Sequence, residues 1–340
     1  MSVVAERPTR EGPYRRYRAT LLSTDRVREL SRLRVWRPVV DTAWNWALIL
    51  AAWVFVTIYP TWWAVLLAIP VVGTRYYALF IIGHDGMHRR IFNRVRRNDL
   101  FTDLLILGPI GAITRINNRN HLEHHKHLAT EADPDRHKHA CFNKATRPRY
   151  LAFLSGLANL WPVVKHVFLR DDGRDHHEDH GADANIAARG ASKPKYTFHD
   201  VVILLGWQAA LIGGLTFGVA WWAFPLLWLV PVYVFVYLGD LVRSFLEHSH
   251  PEADDKADEH RLITYTSNPI ERSLFAPMNM NYHVAHHLWP SIPYYNLPIA
   301  DREIRGKPEA EGLVWRRSYL GYLLRYYFAL PLPECRRGVA

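Results

Sequence analysis

The sequence predicts an all-α integral membrane protein, with four transmembrane helices and a cytoplasmic helical cap that holds a histidine-ligated dimetal site. Three observations lead to this fold class. Charged residues are absent from two long stretches, basic residues crowd the segments around those stretches, and histidines recur in three closely spaced clusters outside them.

The two uncharged stretches cover residues 42–74 and 201–239, which are 33 and 39 residues long. A helix rises about 1.5 Å per residue and the hydrocarbon core is about 30 Å thick, so one crossing needs roughly 20 residues. Each stretch therefore suits two crossings. Proline and aromatic residues at 59–63 and 217–225 predict the turns between them. The helices are then expected near 40–59, 61–83, 200–218 and 221–242. Buried helices of soluble proteins usually carry a polar stripe, and neither stretch shows one.

The placement of the 42 Lys and Arg residues supports four crossings. All but one lie before residue 42, between residues 84 and 195, or from residue 243 onward, and neither predicted turn contains any. With four crossings these three segments share one face, which the positive-inside rule assigns to the cytoplasm. Both termini are therefore expected in the cytoplasm, with a bacterial inner membrane as the location. The exception, Arg75, is expected where the second helix projects beyond the membrane.

Five parts follow from this pattern. Residues 1–39 form a basic cytoplasmic segment, in which no cleavable signal is expected because it lacks an apolar core. The others are transmembrane helices 1 and 2 at 40–83, a cytoplasmic region with two histidine clusters at 84–198, transmembrane helices 3 and 4 at 199–242, and a cytoplasmic region with the third cluster at 243–340.

Two further apolar patches, at 100–113 and 150–169, are expected to lie at the interface or against the cytoplasmic cap. A single extra crossing between His88 and His283 would place the histidine clusters on opposite faces of the membrane.

The clusters read HDGMH from His84, HLEHH from His121 and HVAHH from His283. In a helix, residues at i, i+3 and i+4 share a face, so the imidazoles of a cluster can converge. Neutral imidazole binds iron, zinc, copper or nickel, and eight such groups exceed the four ligands of one structural zinc. Two metal ions are therefore predicted, with the ligands His84, His88, His121, His124, His125, His283, His286 and His287.

A ninth ligand is expected at His248, with His250 as the less favoured choice. One HxxHH taken alone could equally be a solvated loop or an adventitious zinc site, but three clusters on one predicted face point to a shared site. His176, His177 and His180 lie in an acidic stretch without apolar periodicity and are expected to be solvated. The only cysteines, Cys141 and Cys335, provide neither a disulfide framework nor a cysteine-based metal motif.

The ordered motifs HDGMH, HLEHH and NYHVAHH, with paired hydrophobic crossings and HLWPSIPYYNLP from His287, resemble the membrane-bound fatty acid desaturases. Hydroxylases and carotenoid ketolases belong to the same superfamily. The resemblance covers His84 to Pro298 and implies a di-iron centre, held by the eight cluster histidines and His248, with O2 as co-substrate. In the stearoyl-CoA branch an Asn four residues before the histidine that corresponds to His248 also approaches the metal. Ser244 stands there in this chain, which favours the bacterial acyl-lipid or acyl-CoA branches.

The resemblance implies a desaturase that acts on an acyl lipid or acyl-CoA. Removal of hydrogen from an unactivated methylene needs O2 and two external electrons, chemistry that iron supports and zinc does not. A carotenoid ketolase or hydroxylase, or a lipid hydroxylase, remains the alternative, because residues 124–137 are similar to the second histidine box of ketolases. A histidine-based zinc transporter or sensor is disfavoured, because transporters place ligands near the bilayer midplane and all 19 histidines lie outside the four predicted crossings.

A separate electron donor of the ferredoxin, rubredoxin or cytochrome b5 type is expected, because the chain has no haem-binding HPGG segment and no cysteine cluster. The net charge of +10 suits an acidic donor, membrane lipids with anionic headgroups, or CoA phosphates, although topology-setting arginine accounts for much of it. Nucleic acid is not an expected partner. Carboxylates near the histidines are candidates to orient the imidazoles by accepting their other N–H: Asp85, Glu123, Asp133, Asp135 and Glu247.

Overall fold

The computed structural model describes residues 14–128, 133–135, 138, 146–156, 195–248 and 262–330. Within these ranges the chain is helical apart from one two-stranded parallel sheet. The helices are α1 (Arg15–Thr20), α2 (Thr24–Leu30), α3 (Trp36–Ile58), α4 (Trp62–Met87), α5 (Val95–Thr102), α6 (Thr114–His127), α7 (Arg147–Leu154), α8 (Phe198–Gly218), α9 (Pro225–His248), α10 (Pro269–Phe275), α11 (His283–Leu288), α12 (Leu297–Ile304) and α13 (Tyr319–Phe328), and the strands are β1 (Ile263–Tyr265) and β2 (Val314–Arg316).

Four helices of the described chain, α3, α4, α8 and α9, are long and apolar enough to cross a membrane, which confirms the predicted all-α fold with four membrane-length helices. Large apolar side chains on their outer faces are exposed, including Leu66 on α4 and Leu205 on α8. Such surfaces are expected to contact lipid. Two of these helices extend beyond their uncharged runs: α4 continues to Met87 and α9 to His248. The second and fourth helices therefore end, in the same direction, at predicted metal ligands.

The fourth helix is less regular than its sequence predicts. It begins at Pro225 rather than near residue 221, and π-helical turns occupy Pro225–Leu229 and Val232–Tyr237. Proline has no N–H to donate within a helix, and both turns begin at or directly after a proline, Pro225 or Pro231. From Leu238 onward the helix is regular, and this part carries His248.

The apolar patch at 100–113 does not form a membrane-length helix. After α5 the backbone makes a π-helical turn at Asp103–Leu107 and a 3-10 turn at Gly108–Ile110. Trp46 Nε1 of α3 donates to the carbonyl of Leu105 at 2.8 Å, and Trp207 Nε1 of α8 donates to that of Leu104 at 2.7 Å. The segment therefore packs between two membrane helices. Of the second patch, α7 and the two residues after it are described, and the rest lies outside the described residues.

The described residues that follow α9, residues 262–330, form the cap, and this cap contacts α4 directly. Arg75 donates to Ser273 Oγ at 3.0 Å, and the hydroxyl of Tyr77 donates to the carbonyl of Phe275 at 2.8 Å. Arg75 thus contacts the cap, as expected for a helix that continues beyond the membrane. Nearer the histidines, the backbone N–H of Tyr294 donates to Asp85 at 2.8 Å. These contacts hold the third histidine cluster against the first.

Candidate metal centre

All nine predicted histidines converge in the structure. Their possible ligand atoms form two adjoining groups, and within each group these atoms lie within 4.8 Å of one another. The first group contains His84, His88, His121, His125 and His286, and the second contains His124, His248 and His287. His283 adjoins the second group, because its Nε2 lies 3.0 Å from Nε2 of His248. The alternative ligand His250 lies outside the described residues, as do His176, His177 and His180.

Two short helices lie between the groups and contribute to both. On α6, His121 and His125 are one turn apart and face the first group, while His124 faces the second. On α11, His286 joins the first group and His287 the second. The rings of His125 and His287 stack with their centroids 4.1 Å apart. The two groups are therefore in direct contact.

The Nε2 atoms of the first group fit a cation better than they fit hydrogen bonds to one another. Nε2 of His121 lies 2.8 Å from that of His88 and 3.0 Å from that of His125, whose Nε2 is 3.1 Å from that of His286. In a neutral imidazole this nitrogen carries either one hydrogen or one lone pair. A nitrogen with two such neighbours cannot satisfy both, whereas a metal ion accepts every lone pair at once.

The spacing also indicates which coordination geometry fits. Nitrogens at about 2.1 Å from an ion are about 3.0 Å apart at octahedral angles and about 3.4 Å apart at tetrahedral angles. The four Nε2 separations range from 2.8 to 3.1 Å. These separations are compatible with nitrogens that coordinate one ion at octahedral angles.

Burial keeps these imidazoles in the neutral form that a metal needs. Desolvation lowers the pKa of His88 from 6.5 to about 3. Burial is also the main cause of pKa values well below 6.5 in five other ligand candidates, with neighbouring histidines adding to the effect: His121, His125, His283, His286 and His287. At neutral pH their lone pairs are available for coordination.

Two of the five candidate carboxylates contact the second group. Nδ1 of His124 is hydrogen-bonded to Oδ1 of Asp133 at 2.9 Å, and Nδ1 of His283 lies 3.1 Å from Oε2 of Glu247. The hydrogen bond to Asp133 fixes the tautomer of His124 that leaves its Nε2 free for a metal, whereas the contact of Glu247 with His283 is a close approach without a hydrogen bond.

The remaining three carboxylates make other contacts. Asp85 accepts the N–H of Tyr294, Glu123 contacts His127 at 3.3 Å, and Asp135 pairs with Lys138 at 3.0 Å. These three partners, Tyr294, His127 and Lys138, are not among the nine histidines.

Glu247 belongs to a buried charge network that sequence reasoning did not find. Arg243, one turn earlier on α9, pairs with Glu247 at 2.8 Å and with Asp240 at 2.7 Å. The hydroxyl of Tyr319 on α13 donates to the other oxygen of Glu247 at 2.7 Å. The sequence signal is the spacing of the charges just after the uncharged run, with Arg243 three residues after Asp240 and four before Glu247. Ser244 is buried beside this network, one turn before His248.

Four membrane-length helices, together with nine converging histidines, define a membrane-bound protein with a candidate dimetal centre. The sequence profile of the fatty acid desaturase family matches residues 60–319, which include all nine histidines. The chain therefore belongs to the fatty acid desaturase family, and this membership makes it an oxidoreductase.

Relatives with different named activities resemble the chain at similar identity. An sn-1 acyl-lipid omega-3 desaturase (ferredoxin) of Nostoc is 27% identical over 75% of this chain and 69% of its own length. A beta-carotene 4-ketolase of Protosiphon botryoides is 25% identical over 73% and 54%. Dihydrorhizobitoxine desaturase of Bradyrhizobium elkanii is 26% identical over 84% and 81%. The chain spans only about half the length of the ketolase and of several plant chloroplast desaturases that it matches.

Proposed function

We propose that the protein is a membrane fatty acid desaturase that introduces a C=C bond into the acyl chain of a lipid or acyl-CoA. It would use O2, two external electrons and a di-iron centre held by the nine histidines. The observation that carries this proposal is the meeting of His84 on α4, His248 on α9 and the two shared helices α6 and α11 at one buried centre.

The reaction balances without any redox group of the chain itself. Two hydrogens leave adjacent methylene carbons, which become joined by a C=C bond. These two hydrogens, two external electrons and two protons reduce O2 to two molecules of water. Bound iron supplies the reduction of O2 and the abstraction of hydrogen. Imidazole is a donor that iron accepts, and the spacing of the Nε2 atoms is compatible with octahedral coordination.

The protein's own residues hold and orient this centre. Burial keeps the ligand imidazoles neutral, and Asp133 and Glu247 contact Nδ1 of His124 and His283. All-imidazole ligation leaves the charge of the ions without compensation, so these carboxylates also offset it. The apolar outer faces of α3, α4, α8 and α9 keep the centre close to a membrane-dissolved acyl chain.

A separate donor must supply the two electrons. The names of the Nostoc relative and of a chloroplast relative include ferredoxin. An acidic, ferredoxin-like donor also suits the net charge of +10. We further propose that both termini and the metal centre face the cytoplasm, in a bacterial inner membrane, because arginine-rich segments flank the helices at that end.

A carotenoid 4-ketolase is the second candidate. Two beta-carotene ketolases match the chain, at 25% and 24% identity, which is close to the identities of the desaturases. A ketolase would use the same donors, O2 and centre, but would insert oxygen into a ring methylene rather than form a double bond.

Expression in a host that lacks unsaturated lipids, but makes beta-carotene, separates the two candidates. The fatty acids and carotenoids of cells with the unchanged chain are compared with those of cells with the His286→Ala variant. New unsaturated acyl chains that depend on His286 support the desaturase. Ketocarotenoids without new unsaturation would replace it with the ketolase. Replacement of the host's ferredoxin by a rubredoxin then identifies the donor.

A further inference from the structure

A cavity of about 450 Å³ lies in the cap beside the third histidine cluster, and the proposed reaction does not use it. It is formed where the chain after β1 meets α10 and α12, and its lining includes Asn281, two residues before His283. Its volume is within the range of pockets that bind small molecules or headgroups.

The lining of the cavity is positively charged. Arg272 on α10 and Arg302 and Arg305 around the end of α12 contribute three guanidinium groups, against one carboxylate, Asp301. That carboxylate is already engaged, because it pairs with Arg305 and accepts the indole N–H of Trp315 at 2.9 Å. Among the described residues Arg272 and Arg302 have no acidic partner. Planar guanidinium groups of this kind are suited to phosphate oxygens.

Two buried polar atoms in the lining have no hydrogen-bond partner among the described residues. They are Oγ of Ser267, a residue that is 6% exposed, and Oδ1 of Asn281, which is 0% exposed. The amide of Asn281 donates to the carbonyl of Tyr265 at 2.8 Å, which fixes Oδ1 as an acceptor. Buried polar atoms are rarely left unpaired in proteins. A ligand with a phosphate oxygen for Ser267 and a hydroxyl for Asn281 would satisfy both.

One wall of the cavity, α10, contacts the membrane helix α4 close to the end of its uncharged run. Helix α10 is attached to α4 through Arg75 and Ser273, and Arg75 directly follows the first uncharged run. On the same helix Ile270 and Leu274 are 73% and 36% exposed; they share one face, which lies opposite the face that carries Arg272. A short helix with a basic cavity on one face and exposed apolar side chains on the other suits the surface of a membrane with anionic headgroups.

We propose that this cavity binds the phosphate of an anionic membrane phospholipid whose headgroup carries a hydroxyl, such as phosphatidylglycerol. Arg272, Arg302 and Ser267 contact the phosphate, and Asn281 accepts the headgroup hydroxyl. The inference stands apart from the proposed reaction, because binding is measured without turnover.

Native mass spectrometry of the full chain in detergent tests the site, with dioleoyl phosphatidylglycerol and dioleoyl phosphatidylcholine as probes. We expect the double variant Arg272→Gln/Arg302→Gln to bind phosphatidylglycerol about tenfold more weakly. The matched control Arg317→Gln/Arg325→Gln removes two exposed arginines outside the cavity and should bind as the unchanged chain does. Iron content and melting temperature show whether each variant is folded. If the double variant does not fold, Ser267→Ala carries the test, with an expected loss of about threefold.

Three results would overturn the proposal. One is equal phosphatidylglycerol binding by the cavity variant and the arginine control. Another is binding of phosphatidylcholine as tight as that of phosphatidylglycerol. The third is displacement of the lipid by low-millimolar inorganic phosphate, which would make the cavity a site for free phosphate.

Discussion

Nδ1 of His124 is hydrogen-bonded to Oδ1 of Asp133 at 2.9 Å, and both side chains are buried. The same oxygen accepts the backbone N–H of Asp135 at 2.8 Å, which holds the carboxylate in place. Because a carboxylate accepts but cannot donate, the hydrogen of His124 must lie on Nδ1. Its Nε2 is therefore left with a lone pair for an ion shared with His248 and His287.

Asp133→Asn should weaken metal binding. An amide can present its NH2 group to Nδ1, which would favour the other tautomer and place a hydrogen where the metal must bind. We expect iron affinity to fall about 10- to 100-fold, the range for loss of a partner that orients a ligand histidine. Titration of the iron-loaded protein with a competing chelator measures this change.

Glu123→Gln is the matched control for Asp133→Asn. Glu123 precedes His124 on the same helix but contacts His127, which is not among the nine histidines. Its loss should leave iron affinity unchanged. Equal affinities of the two variants would show that Asp133 does not orient a ligand.

Loss of a histidine from either group should remove the ion of that group and leave the other ion in place. His286 belongs to the five-histidine group and His248 to the other. We expect His286→Ala and His248→Ala each to lower the iron content from about two ions per chain to about one, and the double variant to lower it to about zero.

Metal analysis of the purified variants measures these contents, with His199→Ala as the control, because His199 lies at the start of α8, away from both groups. Loss of both ions from either single variant would show one cooperative site rather than two. Stoichiometric zinc without iron in the unchanged chain would contradict the oxidation chemistry.

Gly86→Ala should damage the first group through packing alone. A methyl group on Gly86 would lie 2.7 Å from Cγ2 of Thr102 and 3.1 Å from its Cβ. Thr102 is buried, and its hydroxyl donates to the carbonyl of Asn98 at 2.8 Å, so it cannot rotate away freely. Helices α4 and α5 would have to separate, at a cost of about 1–3 kcal/mol, and His84 and His88 would move with α4.

The melting temperature and iron content of Gly86→Ala should therefore both fall. Gly206→Ala on α8 is the matched control, because a methyl group there meets no atom within 4 Å. This substitution should be neutral or slightly stabilising, as for alanine in an open helix position. A Gly86→Ala protein as stable as the control would contradict the tight α4–α5 contact.

The sequence predicted the four membrane helices and all nine histidines, because both signals are local. Absence of charge over a membrane's thickness and i, i+3, i+4 spacing can be read without knowing the fold. The division of HLEHH could not be predicted, since His124 and His125 are adjacent in sequence and join different groups only once α6 has docked. The contact of Tyr319 with Glu247 was missed for the same reason, because these residues are 72 positions apart, whereas the Arg243–Glu247 pair has a local i, i+4 spacing. The lipid cavity likewise combines segments from β1 to α12.

Acid should destabilise the metal-free protein. An unfolded histidine has a pKa of 6.5, whereas burial lowers the pKa of His88 to about 3 and places those of His121 and His125 well below 6.5. Above pH 6.5 neither state binds these protons, so the contribution of the buried imidazoles to stability is fully present. Below pH 6.5 the unfolded state binds protons that the folded state does not bind. The free energy of unfolding therefore falls as the pH falls, by up to about 1.4 kcal/mol per pH unit for each histidine.

Melting temperatures of the chelator-treated protein between about pH 8 and pH 5 measure this loss. His121→Gln/His125→Gln removes two of the responsible imidazoles and should flatten the dependence on pH without reversing it. Iron-loaded protein should resist acid further, until protons compete with the ions for the same nitrogens and iron is released. A metal-free protein that becomes more stable as the pH falls from 8 to 5 would mean that these imidazoles are already charged in the folded state, and therefore that they are not poised to bind a metal.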